Sequence, residues 1–215
     1  MISQLLKIRQ EIAHSALFAL LLLFIFFIPL FPEPALRYLY LVNFSLIFLV
    51  SILTLEKGRE RILPLALITF ALVWIADILG MVILDVFSKL AMIIFFGAIV
   101  IRLLIQVAGS KKVDLIVILS SISGYLLLGC LFAIILTVIL IPSPGAFNLE
   151  NAGDYVLDEL VYFTFVTMTT LGYGDVLPVI PVTRSLAILI SISGQFYMAI
   201  IVAMLVSKYI ATRPG

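Results

Sequence analysis

Residues 167–175 read Thr167-Met168-Thr169-Thr170-Leu171-Gly172-Tyr173-Gly174-Asp175, at the end of an uncharged run of 15 residues from Leu160 to Gly174. A helix needs about 17–25 mostly apolar residues to cross a bilayer, so this run is too short to cross and return. It is rich in Thr and ends in Gly-Tyr-Gly. The segment therefore reads as re-entrant: a short helix entering partway, then extended backbone leading out again. Non-helical backbone survives at membrane depth only where protein buries it or water lines it, which points to a pore.

The rest of the chain supplies the membrane context. Of the 215 residues, 64% are apolar and 12% charged, and the mean hydropathy is +1.32. An average soluble chain has roughly 45–50% apolar and ~25% charged residues, so an all-α integral membrane protein is expected. Glu33 is the next acidic or basic residue after Glu11, which leaves Ala16 to Phe31 as a first span. A second covers Tyr38 to Leu55. The third runs from Ile62 to Leu84 and contains Asp77; the fourth runs from Val86 to Val107 with Lys89 and Arg102. A fifth uncharged stretch begins at Leu115 and leaves the membrane at Pro142-Ser143-Pro144-Gly145, a strong helix stop. The sixth covers Pro181 to Ile210. The chain divides into four peripheral helices (1–113) and a pore part (114–215).

Alternating six crossings from an inside N-terminus puts Lys7, Arg9, Lys57, Arg59, Arg61, Arg102, Lys111, Lys112, Lys208 and Arg213 on the inner side. Arg37, Lys89 and Arg184 remain outside. This 10 to 3 asymmetry predicts a multi-pass protein of the cell membrane with both termini cytoplasmic. The first span lacks a small-residue cleavage site, since Ile28-Pro29-Leu30-Phe31-Pro32 is bulky, and is read as retained. The sequon Asn43-Phe44-Ser45 falls mid-membrane and carries no glycan.

Several classes drop out. The net charge of +1 does not suit a nucleic-acid partner. A single Cys130 and a single His14 leave no metal cluster and no catalytic triad, so no enzyme is expected. His14 is expected at the interface and Cys130 in apolar packing. Asp77, inside a span, is expected to pair with Lys89. A secondary transporter would need paired repeats and broken helices, and no repeat occurs.

Thr167-x-x-Thr170-x-Gly172-Tyr173-Gly174, followed by Asp175, resembles the filter signature of the potassium-channel family at every fixed position. The resemblance covers roughly residues 114–210; the first four helices match only by count and order. It implies that the carbonyls of Thr170, Leu171, Gly172 and Tyr173, with the Thr170 hydroxyl, form stacked K+ sites closed by Gly174. Carbonyl oxygens replace the ion's hydration shell, and glycine's tolerance of positive φ lets neighbouring carbonyls turn to one axis. One chain supplies one wall, so a homotetramer in the lipid bilayer is implied, with K+ as permeant ion and no cofactor.

Thr167, Tyr162 and Asp175 are the filter's supports by the same resemblance. Family members often carry two tryptophans where this chain has Tyr162 and Phe163; Tyr162 retains a hydroxyl for Asp175, whereas Phe163 has no donor for Tyr173. Val166 stands where some bacterial members have a Glu. The short pore helix is expected to start near Asp154 or Asp158 as its cap and end near Val166. Glu150, Asp154, Asp158 and Glu159 are expected around the outer mouth. Gly194, 24 residues after Thr170, matches the position of a gating hinge. Met198, Val202 and Val206 then follow at helical spacing as a constriction. The fourth span lacks arginines at every third residue, so steep voltage gating is not expected. A non-conducting subunit that joins other pore chains is the alternative reading.

Overall fold

The computed structural model describes residues 2–55, 59–149 and 156–211. Seven α-helices are present among them: α1 (Ile2–Leu22), α2 (Glu33–Leu53), α3 (Arg59–Leu79), α4 (Val82–Gly109), α5 (Leu115–Leu140), α6 (Val156–Met168) and α7 (Pro181–Ala211). All but α6 are long and apolar enough to cross a membrane. The described fold is all-helical apart from one isolated bridge between Phe147 and Pro178.

The first span is not a plain α-helix to its end. After Leu22 it widens into a π-helical turn, Leu23–Phe27, and closes with a 3-10 turn, Ile28–Leu30. Pro29 explains this. It donates no N–H, and its ring would strike the carbonyl of Ile25 in a regular α-helix. Widening the preceding turn moves that carbonyl aside, with the Ile28 N–H bonding the Leu23 carbonyl instead.

The boundary between the third and fourth spans departs from expectation. Gly80 has φ +60, a left-handed conformation that ends α3 at Leu79, and its N–H bonds the Ala76 carbonyl. Residues 82–85 therefore begin α4. Asp77 then stands two residues from the outer end of α3, within reach of the first turns of α2. Its partner is Arg37, at 2.8 Å through Nε, with a second bond of 3.0 Å from the guanidinium to the Asp77 carbonyl. The expected Asp77–Lys89 pair does not form; Lys89 pairs with Asp85 one turn before it on α4.

The peripheral helices are fastened by rings. Phe24 of α1's extension meets Phe44 of α2 at 4.8 Å, and Phe48 contacts both Phe95 and Phe96 of α4. Nearby, Trp74 of α3 donates to the Ser45 hydroxyl at 3.0 Å. Asn43 is buried against α1, its amide 3.4 Å from the Leu20 carbonyl. The sequon is sealed inside the bundle, as its position implied.

His14 is a correction. It is fully buried rather than interfacial. One direction of donation satisfies every partner: the Gln106 amide to Nε2 (3.3 Å), Nδ1–H to the Ser120 hydroxyl (3.2 Å), and that hydroxyl to the Ile116 carbonyl (2.6 Å). The chain joins α1, α4 and α5 through a neutral imidazole, which avoids burying a charge. Cys130 is buried in apolar packing, as expected.

α5 is the hub. It packs on α1 and α4 on one side and on α6 and α7 on the other. Only Ser110–Asp114 separate it from α4, so the peripheral helices lie against the α5 of their own chain. Two glycines let the pore elements approach it. At Gly129 a Cβ would stand 2.4 Å from the Phe165 ring of α6, and at Gly124 it would stand 2.3 Å from the Tyr197 hydroxyl of α7. That hydroxyl donates to the Ser121 carbonyl at 2.7 Å.

Gly129→Val is expected to destabilise the fold by about 1–3 kcal/mol through overpacking, seen as a lowered melting temperature in detergent. Adding Phe165→Ala should recover part of that loss. Strictly additive losses would show that the two side chains do not compete for one space.

Candidate pore site

α6 spans only 13 residues. Its buried face, Leu160, Val161, Phe163, Thr164 and Met168, is gathered against α5 and α7. Asp158 and Glu159 lie in its first turn. Asp158 is thus inside the helix, not its cap. Glu150 and Asp154, the other expected cap and mouth residues, lie outside the described residues. Burial raises the carboxyl pKa of Asp158, and Glu159 is raised by burial and then by Asp158 and Asp175.

The chain leaves α6 by turning sharply, and the turn consumes the helix's orphan carbonyls. The Thr169 N–H bonds the Phe165 carbonyl at 3.0 Å, and the Thr170 N–H bonds that of Thr167 at 3.1 Å. The Val166 carbonyl accepts from both Leu171 (3.0 Å) and Gly172 (3.4 Å). The last one, at Met168, is taken by the Gln195 amide of α7 at 3.1 Å. Gly194 makes that approach feasible. A Cβ there would lie 2.7 Å from the Met168 carbonyl oxygen.

Backbone handedness then alternates. Thr170, Gly172 and Gly174 have φ of 60, 59 and 80, whereas Leu171 and Tyr173 are not in the positive-φ region. In an ordinary strand successive carbonyls point to opposite sides. Reversing the sign of φ at every second residue turns them to the same side. Among the described residues, no group donates a hydrogen bond to the carbonyls of Thr170, Leu171, Gly172 or Tyr173. The segment 169–175 is exposed along its length. Carbonyl oxygens left without protein donors remain available as ligands for water or for a cation.

Behind the row stands a loop-to-loop clamp. The Tyr162 hydroxyl donates to Asp175 Oδ2, and Asp175 Oδ1 accepts the Val176 N–H at 3.0 Å. The Tyr162 bond holds the Asp175 carboxyl below the usual aspartate range. Asn148, in the loop after α5, binds on both edges: its amide donates to the Asp175 carbonyl at 3.2 Å, and its carbonyl oxygen accepts the Leu177 N–H. The Asn148 N–H returns to the Leu177 carbonyl at 3.2 Å. Val179 N–H and the buried Thr183 hydroxyl both reach the Ala146 carbonyl, at 2.9 and 3.0 Å.

The structure places Thr167, Thr170 to Asp175 and Tyr162 in one region, with Tyr162 bonded to Asp175. Thr167 contributes its backbone carbonyl. Phe163, lacking a donor, packs edge-on to Phe147 of the preceding loop at 5.0 Å. Asn148 and the role of Gln195 were not anticipated. A lone Asn in a Pro- and Gly-rich loop carries no signal until its partner strand is known. Gly194 is buried and α7 runs unbroken through it; Met198, Val202 and Val206 are exposed farther along the same helix, at 47, 51 and 51%.

A family model described as "Ion channel" matches residues 134–211, which take in the C-terminal end of α5, α6, the loop after it and α7. That stretch is similar to ion channels that conduct across a membrane. No curated protein and no solved structure matches the chain.

Removing the Tyr162 hydroxyl tests the clamp through its pH dependence. Because the Asp175 pKa is lowered in the folded protein, the stabilisation is present above the ordinary aspartate range and fades as pH falls through the lowered value. Tyr162→Phe should therefore melt below the wild type at pH 7, with the gap closing below about pH 4. A gap that stays constant through that range would mean the hydroxyl does not act on a carboxylate.

Proposed function

We propose that four copies of the chain enclose a potassium-selective pore, with Thr170, Leu171, Gly172 and Tyr173 of each copy lining it. The observation that carries this reading is the alternating φ at Thr170, Gly172 and Gly174, which leaves a row of carbonyls facing one side without donors. Each K+ would exchange its water shell for rings of these oxygens, aided by the Thr170 hydroxyl. A single chain offers an open wall, and exposed non-helical backbone at membrane depth needs protein on its other side. Fourfold assembly supplies it. The C-terminal end of α6 points its dipole toward the pore axis, which favours a cation in the centre.

In this reading residues 114–215 form the pore and residues 1–113 a brace around it, in the cell membrane with both termini inside. The buried face of α4 is Ser88, Met92, Phe95, Phe96, Ile99, Val100, Leu103 and Val107, so the surface facing the other helices is given to packing. Lys89 and Arg102 are its cations outside that face. Steep voltage gating uses three to four charges per subunit, each yielding ~2.3 kcal/mol per 100 mV. One cation crossing a third of the field would give only ~0.8 kcal/mol. The inner gate is assigned to Met198, Val202 and Val206. A bend at Gly194 would part Gln195 from Met168, so the gate and the filter base share one contact.

In mixed potassium and sodium solutions, purified protein in a bilayer should reverse near the potassium equilibrium potential. A reversal near zero would overturn the selectivity. Its conductance–voltage curve should give an effective gating charge below about four per tetramer, far under the three to four charges per subunit of a true sensor. Val202→Asp should wet the constriction and raise resting open probability; an unchanged value would move the gate to the filter.

A further inference from the structure

We propose that the corner between α4 and α5 is a binding site for one anionic phospholipid, its phosphate held by Arg102, Lys111 and Lys112. A cavity of about 500 Å³ opens there. The three cations line it together with Ser110, while Ile105 and Ile116 contribute apolar wall. The position is the end of two membrane spans, since α4 finishes at Gly109 and α5 begins at Leu115. A pocket with a cationic rim and an apolar wall at that level matches a phosphate joined to acyl chains.

The charges there are left over. Arg102 is half-buried and lies seven residues before the end of α4, roughly 10 Å along the helix at 1.5 Å per residue. A cation held at that depth requires a counter-anion or a path to water. Among the described residues, none of Arg102, Lys111 and Lys112 is in an ion pair. Asp114 is the acid on the lining, and it is already engaged. Its carboxylate caps α5 by accepting the Val117 N–H at 3.1 Å, where the helix dipole favours it.

The other natural use of these lysines is also taken. The end of α4 presents carbonyls that attract cations, but Lys208 of α7 occupies them, bonding the carbonyls of Val107 and Ala108 (2.9 Å for the latter) and the Ser110 hydroxyl at 3.0 Å. Among the described residues lining it, three positive groups thus face one cavity against a single engaged carboxylate. A phosphodiester would neutralise them while its chains lie along Ile105 and Ile116. Because Lys208 ties this corner to the inner end of α7, the lipid would sit on the segment that links the peripheral helices to the gate. The proposal rests on the chain spanning a bilayer, not on its potassium selectivity.

Native mass spectrometry of the purified full chain in detergent tests it, with phosphatidylglycerol, phosphatidylcholine and inorganic phosphate as probes. One phosphatidylglycerol should be retained per chain, phosphatidylcholine should not, and millimolar inorganic phosphate should fail to displace it. Arg102→Gln/Lys111→Gln/Lys112→Gln should weaken retention on the order of a hundredfold, given the usual contribution of each basic residue. The charge-preserving Arg102→Lys/Lys111→Arg/Lys112→Arg should retain the lipid, and so should Lys7→Gln at the same end of the bundle. Equal retention of phosphatidylcholine would overturn the proposal. Undiminished phosphatidylglycerol in the neutralised variant would do the same. Displacement by inorganic phosphate would show a phosphate site without lipid recognition, and would overturn it as well.

Discussion

The backbone of α7 touches the last turn of α6 at Gly194 and Met168, and the geometry of the re-entrant loop depends on that contact. The last turn of a helix leaves carbonyls with no partner in the helix itself. Phe165, Val166 and Thr167 find their donors in the returning chain, which forces it into a tight turn. Met168 has no such neighbour. It needs the Gln195 amide, and any side chain at position 194 would hold α7 too far away. With the helix end fixed this way, Thr170 is held at φ 60, a conformation that costs a non-glycine residue of order 1–3 kcal/mol. The strain is local; the hydrogen bonds that impose it come from α6 and α7 together.

The same logic of close approach extends outward through α5. Gly129 admits Phe165 and Gly124 admits Tyr197, so the re-entrant helix and the inner helix both register on one straight helix. On its other side α5 carries the His14 junction to α1 and α4. Without a hydrophobic force between helices in lipid, small residues and polar bonds decide how they pack. Glycines and buried hydroxyls serve that purpose along α5, while stacked phenylalanines serve it among α1, α2 and α4.

The six long helices were legible because each follows from length and hydropathy alone. The bond between Tyr162 and Asp175 was expected from the resemblance to potassium-channel filters. Boundaries were less legible. The third span was drawn through to Leu84 because residues 79–84 are uncharged, and only the left-handed Gly80 ends the helix early. That error of a few residues displaced Asp77 from the outer edge and gave it the wrong partner, Lys89 instead of Arg37. His14 was misplaced for a different reason. A lone histidine says nothing about burial until Gln106 and Ser120, 92 and 106 residues away, arrive beside it. Asn148 was invisible for the same reason, since its bonds cross to Asp175 and Leu177.

The distribution of burial bears on the proposed assembly. α5 is buried along most of its length, whereas α7, at 31 residues, buries only Thr183, Ile190, Gly194, Tyr197 and Ile201. Lipid accounts for apolar exposure on such a helix, because hydrocarbon solvates Ile188 or Phe196 as well as protein does. It does not account for the exposed backbone of Thr170 to Tyr173, whose carbonyls accept no hydrogen bond among the described residues. In the proposed assembly those oxygens are satisfied by a cation, and the cation by oxygens of four chains at once. In that proposed assembly the polar wall would supply what apolar packing cannot in lipid: a reason for the chains to associate around one axis and in one register.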